Sequence, residues 1–172
     1  NYILNEAVRQ TDKGVHILDV NVGLPEIDEG EIMQQAVKRL QAVCDLPLQI
    51  DSSDPAVLER SMRIYNGKPL INSVNGKQKS MCEVFPLVKK YGGVVIALTM
   101  DENGIPSSAD ERVAIAEKIA SQAAEYGIGK KDIIVDPLCL TVSSDSKSAL
   151  VTLKSVKMLA ERGFKTCLLY TS

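Results

Sequence analysis

The stretch LQIDSS, residues Leu48–Ser53, sets the pattern that decides the fold: an apolar run that ends in a carboxylate and small polar residues. Four other stretches repeat this pattern, and they are ILDVNVG (Ile17–Gly23), LINSVNG (Leu70–Gly76), VIALTMDENGIP (Val95–Pro106) and IIVDPL (Ile133–Leu138). Each stretch predicts a buried strand that carries a carboxylate or a carboxamide at its C-terminal end.

The polar residues at these strand ends recur at about the length of one strand-plus-helix unit of a (β/α)8 barrel, which is about 30 residues. They are Asp19, Asp51, Asn72, Asp101 and Asp136. Active sites of such barrels lie at the C-terminal ends of the strands. The spacing therefore predicts one polar pocket that is built from several strand ends.

The segments between the strands have the apolar periodicity and the end signals of helices. Asp54 before Pro55 predicts an N-cap, and Ser108 with Glu111 predicts a capping box. Pro86 predicts a break, with the main helix beginning near Phe85. The predicted helices are Tyr2–Asp12, Glu31–Val43, Pro55 to about Asn66, Phe85–Gly92, Ser108–Tyr126 and Ser146–Arg162.

Strict alternation of apolar strands and helices predicts one α/β domain with a parallel sheet. The chain opens with a helix and closes one strand after the sixth helix. We therefore expect a TIM (β/α)8 barrel that is truncated at both ends, with about strands 2 to 7 present over residues 1–166. The end, CLLYTS (Cys167–Ser172), resembles a translated sequencing-library adapter, and we expect a non-native tail. The alternative is an ordinary seventh strand.

The composition is that of a globular α/β protein: 172 residues, of which 45% are hydrophobic and 24% charged. The net charge of −2 gives no electrostatic reason to expect nucleic acid or an anionic membrane as a partner. No apolar run reaches the roughly 18 residues that span a bilayer. The four cysteines have no zinc-ligand spacing, so we expect no metal site and reduced thiols in a cytoplasmic protein.

The types of side chain at the strand ends indicate the kind of ligand. Asp51 and Asp136 offer acceptor-only carboxylates, and Asn72 offers one acceptor and two donors. No lysine stands at a strand end, which disfavours a phosphate ligand. The set favours a neutral heterocycle that presents N–H donors, such as the edge of a 2-amino-pyrimidinone.

The segments DVNVG, IDSS, INSVNG, LTMDENGIP and VDPL, taken together, resemble the pterin-binding methyltransferases over about residues 1–166. This family includes the folate domain of cobalamin-dependent methionine synthase. The resemblance implies a TIM barrel that binds 5-methyltetrahydrofolate and transfers its N5 methyl group to cob(I)alamin, as part of methionine synthesis from homocysteine. The cobalamin would be carried by a partner domain or a corrinoid protein. Zinc would belong only to a separate homocysteine domain.

The resemblance also implies roles for particular residues. Asp51, Asn72 and Asp136 match family residues that hydrogen-bond the pterin ring, and Asp19 and Asn21 stand where the same pocket is lined. An asparagine after strand 7 helps to activate N5 in the family, and it has no counterpart in this chain. The catalytic residue is therefore unknown, and we expect the chain to be inactive alone.

Several alternatives remain open from the residues. Asp51 could be merely a residue that approaches or caps the next helix. Asn72 and Asp136 could be turn residues. Asp19 and Asn21 could be loop residues whose side chains satisfy backbone groups. Asp101, followed by Glu-Asn-Gly, is interpreted as a turn. Alternative functions are a stand-alone methyltetrahydrofolate:corrinoid protein methyltransferase, a dihydropteroate synthase, and a non-catalytic binding module. Dihydropteroate synthase would need a lysine and an arginine near the late strands.

Overall fold

The computed structural model describes residues 2–24, 26–139 and 146–169. Within these residues, strands and helices alternate along the chain. The strands are β1 (Leu18–Asn21), β2 (Leu48–Asp51), β3 (Leu70–Asn75), β4 (Val94–Leu98), β5 (Ile133–Asp136) and β6 (Lys165–Thr166). The helices are α1 (Tyr2–Asp12), α2 (Glu29–Gln41), α3 (Pro55–Met62), α4 (Gln78–Tyr91), α5 (Ala109–Glu125) and α6 (Ser146–Glu161).

The sheet is parallel, and its strands follow one another in chain order, β1-β2-β3-β4-β5-β6. This confirms the α/β alternation predicted from the sequence. The chain divides into two compact units, the first comprising Asn1–Asn72 with Lys90–Val94, and the second Ser73–Lys89 with Val95–Ser172.

The first unit packs α2 and α3 against β1 and β2. Leu48 and Ile50 of β2 are fully buried, as are Met33 and Val37 of α2, while Leu58 of α3 is 1% exposed. Burying a side chain of this size contributes about 1.5–3 kcal/mol. The apolar run before Asp51 therefore anchors the strand that presents this carboxylate.

The second unit has its core between β4, β5, α5 and α6. Val95, Ile133 and Val135 are fully buried in the strands, and Ile119 of α5 and Leu159 of α6 are fully buried as well. Bulky side chains on β5 are thus covered by helices, as expected of parallel sheets.

Side-chain caps explain the starts of α2, α3 and α5. Asp54 accepts a hydrogen bond from the Ala56 amide at 2.8 Å, with Pro55 at the first helical position. Ser108 Oγ accepts from the Glu111 amide at 3.3 Å, which confirms the N-cap half of the predicted capping box. The Glu111 carboxylate accepts from the Ser108 hydroxyl at 2.6 Å. Helix α2 begins at Glu29, before the predicted Glu31, because Asp28 caps it.

The prediction of a break at Pro86 is wrong: α4 is one helix from Gln78 to Tyr91 with Pro86 inside it. A proline there removes the hydrogen bond that residue 86 would donate to the carbonyl of residue 82. Both Pro86 and Cys82 are exposed, so water can satisfy that carbonyl. The buried face, which includes Met81, Phe85 and Val88, keeps its helical spacing.

Other element boundaries differ by a few residues. Helix α3 ends at Met62 rather than near Asn66, and the strand that follows the sixth helix is short, since β6 spans Lys165–Thr166. The predicted domain boundary after residue 166 stays a prediction. Residues 170–172 of the predicted tail lie outside the described residues.

Gly76 gives a test of the packing beside β3. A Cβ added there would lie 2.8 Å from Ile115 Cγ2 and 3.0 Å from the backbone oxygen of Met100. We expect Gly76→Ala to lower the free energy of unfolding by about 1–3 kcal/mol, as overpacking does. Urea unfolding measures this change.

Gly30→Ala is the matched control for that variant. Its Cβ would meet the guanidinium of Arg60, the mobile end of a half-exposed side chain, within a helix that favours alanine over glycine. We expect little loss of stability. Equal losses in both variants would contradict the packing argument.

Candidate functional site

Three of the predicted site residues stand side by side in the first unit. In the parallel register Asn21 is paired with Asp51, and Asp51 with Asn72. The Asn21 Nδ2 donates a hydrogen bond to Asp51 Oδ2 at 2.8 Å, so these two side chains share one face. We call Asn21, Asp51 and Asn72 the amide–carboxylate row.

Asp19 lies two residues before Asn21 in β1 and not at the strand end, which corrects its predicted position. Strand β1 begins only at Leu18, whose amide donates to the Pro47 carbonyl at 3.0 Å, so Asp19 is its second residue. Asp19 is paired in register with Gln49, and Gln49 Nε2 donates to Asp19 Oδ1 at 2.6 Å.

Electrostatics near Asp19 favour its neutral form. Although Asp19 is an exposed residue, partial desolvation of its carboxyl group raises its pKa. The Gln49 hydrogen bond acts in the opposite direction, and the charge of Asp51 raises the pKa further. The charge of Asp51 on the neighbouring strand therefore adds to the effect of burial on the pKa of Asp19.

Asn72 is also not at a strand end, since β3 continues to Asn75. The strand continues past Asn72 because Val74 is fully buried and extends the apolar pattern. It stops where the Asn75 amide donates to Ser80 Oγ at 3.1 Å instead of to a strand. Asn72 is buried, with 9% of its surface exposed.

The turn after β2 is held by a carboxylate that the sequence analysis did not single out. Ser52 Oγ donates to Glu29 Oε1 at 2.6 Å and accepts from the Asp54 amide at 3.1 Å. The Ser52 amide donates to the Asn72 carbonyl at 3.1 Å. These contacts fix the backbone directly after Asp51, whose own carboxylate bonds Asn21.

Asp136 belongs to the second unit, where it ends β5 and is fully buried. Its Oδ1 accepts from the Leu138 amide at 2.7 Å, and its Oδ2 accepts from the Leu169 amide at 3.2 Å. Burial raises the pKa of Asp136, while the two backbone hydrogen bonds and the Arg112 charge oppose that shift. The bond to Leu138 forms a side-chain turn, which is the alternative interpretation of Asp136.

Arg112 on α5 was missed, because a charged residue in an amphipathic helix normally predicts a solvated face. It is 1% exposed. Its Nε donates to the Pro106 carbonyl at 2.9 Å, and its Nη1 lies 2.9 Å from the Pro137 carbonyl and 2.8 Å from that of Leu138. Burial lowers the pKa of Arg112, although an arginine remains protonated in proteins.

Leu138 has an unusual backbone. Its φ of 61° lies in the left-handed region, although it is a buried, bulky residue. Such a conformation costs on the order of 1–3 kcal/mol and persists where the surroundings impose it. Nearby, Thr99 is fully buried, and no partner within the described residues satisfies its Oγ1.

Asp101 forms the turn that the sequence predicted. Its carboxylate accepts from the Asn103 amide at 2.8 Å, and its backbone pairs with Gly104. Among the residues that the structure describes, no group of three or more His, Cys, Asp or Glu side chains could hold a metal ion. The same residues contain no helix long and apolar enough to span a bilayer.

A family model described as "Pterin binding enzyme" matches residues 1–171. Methionine synthase from Mycobacterium tuberculosis (strain ATCC 25618 / H37Rv) is 30% identical over 169 residues, which cover 92% of this chain and 14% of that protein. A methylcorrinoid:tetrahydrofolate methyltransferase from Eubacterium limosum is 28% identical over 152 residues, which cover 87% of this chain and 56% of that protein. The chain thus spans less than two thirds of either relative.

Solved structures of similar fold include dihydropteroate synthase from Xanthomonas albilineans in complex with 7,8-dihydropteroate, with a TM-score of 0.78 at 20% identity. This match covers 95% of the chain and 61% of that structure. The enzyme from Thermus thermophilus gives a TM-score of 0.77 at 19% identity, covering 95% of the chain and 64% of that structure. At these identities the likeness shows the fold alone, and it confirms the α/β fold of the TIM-barrel class.

The buried Asp136 predicts a particular pH dependence of stability. Because its folded-state pKa is raised above the ordinary 3.8, its contribution is fully present below about pH 3.8 and is lost as the pH rises through the raised pKa. In Asp136→Asn the side-chain amide does not titrate, so this contribution is absent. The free energy of unfolding of the original protein, relative to this variant, should therefore fall as the pH rises from about 4.

Urea unfolding at a series of pH values measures this difference, in which the titration of Asp19 and other common groups cancels. Asp110→Asn, at an exposed position on α5, is the control and should show no such trend. A difference between the original protein and Asp136→Asn that is constant or rises with pH would contradict the assignment of a raised pKa.

Proposed function

The chain belongs to the family of pterin-binding enzymes, and on that basis we propose that it binds 5-methyltetrahydrofolate and transfers its N5 methyl group to cob(I)alamin. The proposal places the corrinoid on a separate domain or protein. Methionine synthesis from homocysteine would be the process served. The single observation that carries the proposal is the Asn21–Asp51 hydrogen bond within the amide–carboxylate row.

The row fits the hydrogen-bonding edge of a pterin. An ionised carboxylate has about four lone-pair sites, and Asn21 takes one of those on Asp51. The remaining sites can accept the paired N–H groups of a 2-amino-pyrimidinone, in the bidentate geometry that such donors prefer. Asn72, the register partner of Asp51, can donate to a ring carbonyl or accept from an N–H.

Asp136 offers a second carboxylate for a pterin ring. Each of its oxygens already accepts one backbone hydrogen bond, which leaves one further site on each oxygen. Because Asp136 is fully buried, a ligand reaches it only after neighbouring groups have moved. A pterin N–H pair would then add two hydrogen bonds to a buried charge that already accepts bonds from two backbone amides.

Methyl transfer asks two things of this chain. The N5–CH3 bond breaks with its electron pair remaining on N5, so N5 needs a proton or a strong hydrogen bond in the transition state. The binding residues hold the ring so that the methyl group faces the acceptor, which lowers the entropic part of the barrier. When bound, the corrinoid supplies the nucleophile. The prediction that the N5-activating asparagine lies outside this chain stays a prediction.

A stand-alone methyltransferase that serves a corrinoid protein is the second candidate, supported by the likeness to the Eubacterium limosum enzyme. The name of that relative describes methyl transfer from a methylcorrinoid to tetrahydrofolate, the reverse of the direction proposed here. The dihydropteroate synthase alternative has support from fold likeness alone. The cytoplasmic location also stays a prediction.

We predict that Asp51→Asn and Asp136→Asn each weaken binding of 5-methyltetrahydrofolate at least about tenfold. An amide presents a donor where the ring also presents one, and a hydrogen bond to a charged group contributes about 1.5–3 kcal/mol. Isothermal titration calorimetry with the protein measures the dissociation constant. The proposal fails if both variants fold and bind as tightly as the original.

Two exposed carboxylates serve as controls in the same assay. Asp45→Asn in the first unit and Asp110→Asn in the second remove one charge each away from the strand ends. Both should bind 5-methyltetrahydrofolate as the original protein does. If they weaken binding as much as the site variants, the effect is one of net charge rather than of the site.

The methyl acceptor is tested separately. We expect the protein that contains this chain to methylate free cob(I)alamin from 5-methyltetrahydrofolate, and the loss of the cob(I)alamin absorbance follows the reaction. Condensation of a dihydropterin pyrophosphate with 4-aminobenzoate is the competing activity. Observing condensation and no methylation would replace the proposal by the dihydropteroate synthase alternative.

A further inference from the structure

Arg112 is a fully buried cation for which the described residues contain no ion-pair partner within 4.0 Å, and the proposed function does not use it. It donates instead to three backbone carbonyls, that of Pro106 before α5 and those of Pro137 and Leu138 directly after β5. Burying a cation is costly unless its donors are satisfied. Three carbonyls that converge on one guanidinium indicate a site built for that group.

We propose that Arg112 is a positioning residue that holds the segment after β5 in the conformation in which Asp136 receives the pterin ring. This inference rests on the proposed function. Arg112 does not touch the ligand, and it acts through the backbone of Pro137 and Leu138.

The strained backbone of Leu138 is the link between Arg112 and Asp136. The Leu138 carbonyl accepts from Arg112 Nη1 at 2.8 Å and from Thr152 Oγ1 at 2.8 Å, while its amide donates to Asp136 Oδ1 at 2.7 Å. Helices α5 and α6 thus fix the peptide unit after Leu138, and Arg112 Nη1 also donates at 2.9 Å to the Pro137 carbonyl, which shares its peptide unit with the Leu138 amide. The left-handed φ of 61° then aims the amide at the carboxylate.

Arg112 and Thr152 also contact each other, with Arg112 Nη1 3.1 Å from Thr152 Oγ1. The two helices therefore share one hydrogen-bond network around Leu138. Removing Arg112 would leave the Leu138 carbonyl with the Thr152 hydroxyl as its remaining donor from the two helices, and would leave a backbone conformation that leucine disfavours. The segment would relax, and the Asp136 carboxylate would lose its fixed orientation.

The groups that face Asp136 decide how its ionisation responds. Among the described residues, the charge of Arg112 from α5 acts on Asp136, and Asp136 acts on the Cys167 thiol after β6. Cys139, three residues after Asp136, interacts electrostatically with Arg112. Burial raises the pKa of Cys167 to about 12, so this thiol stays neutral when Asp136 titrates. Thr152 from α6, and Leu98 and Thr99 at the end of β4, carry no charge.

The test compares Arg112→Met, which removes both charge and donors, with Arg112→Lys, which keeps the charge. For Arg112→Met we expect the dissociation constant of 5-methyltetrahydrofolate to rise at least about tenfold at pH 7. The pH below which binding is lost should move upward, because Asp136 is harder to ionise. Arg112→Lys should restore the pH profile of the original protein but not its full affinity.

Titration of Asp136 by carboxyl carbon NMR gives a readout that does not need folate. Its pKa should be higher in Arg112→Met than in the original protein, and close to the original in Arg112→Lys. Arg162→Met, at an exposed arginine on the α6 side of the same unit, is the control and should change neither quantity. A merely stabilising role for Arg112 would leave the Asp136 pKa and the pH profile unchanged.

Failure of the two proposals can be told apart. No binding of 5-methyltetrahydrofolate by the original protein would sink the proposed function, while an Asp136 pKa unaffected by Arg112→Met would sink the inference about Arg112. If Arg112→Met does not fold, Thr152→Val removes the second bond to the Leu138 carbonyl and should weaken folate binding several-fold. Unchanged binding and an unchanged Asp136 pKa in Thr152→Val would overturn the inference.

Discussion

The register of the parallel strands is the constraint on which the first unit depends. Paired residues of parallel strands lie on the same face, and a shift of one residue would turn every side chain to the other face. Ladder bonds such as Leu18 to Pro47 and Ser52 to Asn72 set the level at which the strands meet. With that level fixed, Asn21 meets Asp51, and Gln49 meets Asp19, without further adjustment.

The carboxylates of Asp51 and Asp136 are held by different kinds of contact in the two units. In the first unit a half-buried Asp51 is held by a neutral amide, and Glu29 and Ser52 secure the backbone beside it. In the second unit Asp136 is fully buried and depends on backbone amides and on the field of a buried arginine. Side-chain pairing suits a site near solvent, whereas a buried charge needs fixed dipoles around it.

Much of the fold could be predicted because it depends on local patterns. The apolar run before Asp51 predicts β2, and Asp54 with Pro55 predicts the start of α3, since both signals act within a few residues. The prediction of a break at Pro86 was wrong. The free-energy cost of a proline inside a helix depends on whether water reaches the unpaired carbonyl, here that of Cys82, and this depends on how the helix packs. The tertiary packing of α4 thus outweighed the local tendency of proline to break a helix.

The candidate site could be predicted only in part. Gln49 could have been found, since it stands two residues before Asp51 in the same strand and therefore on the same face. Arg112 could not, because nothing in the ADERVAIAEKIA pattern of α5 marks a cation that will be enclosed by loops distant in sequence. Neither could the left-handed Leu138, since leucine gives no local signal for a conformation that its surroundings impose.

The proline within α4 has a consequence for how that helix opens. Its ladder lacks the bond from residue 86 to the Cys82 carbonyl, so the turns before Pro86 share one hydrogen bond fewer with the turns after it. Local opening tends to follow such weak points. The amide protons of the turns before Pro86 are therefore expected to exchange with deuterated solvent in a separate, faster group than those of the turn around Val88.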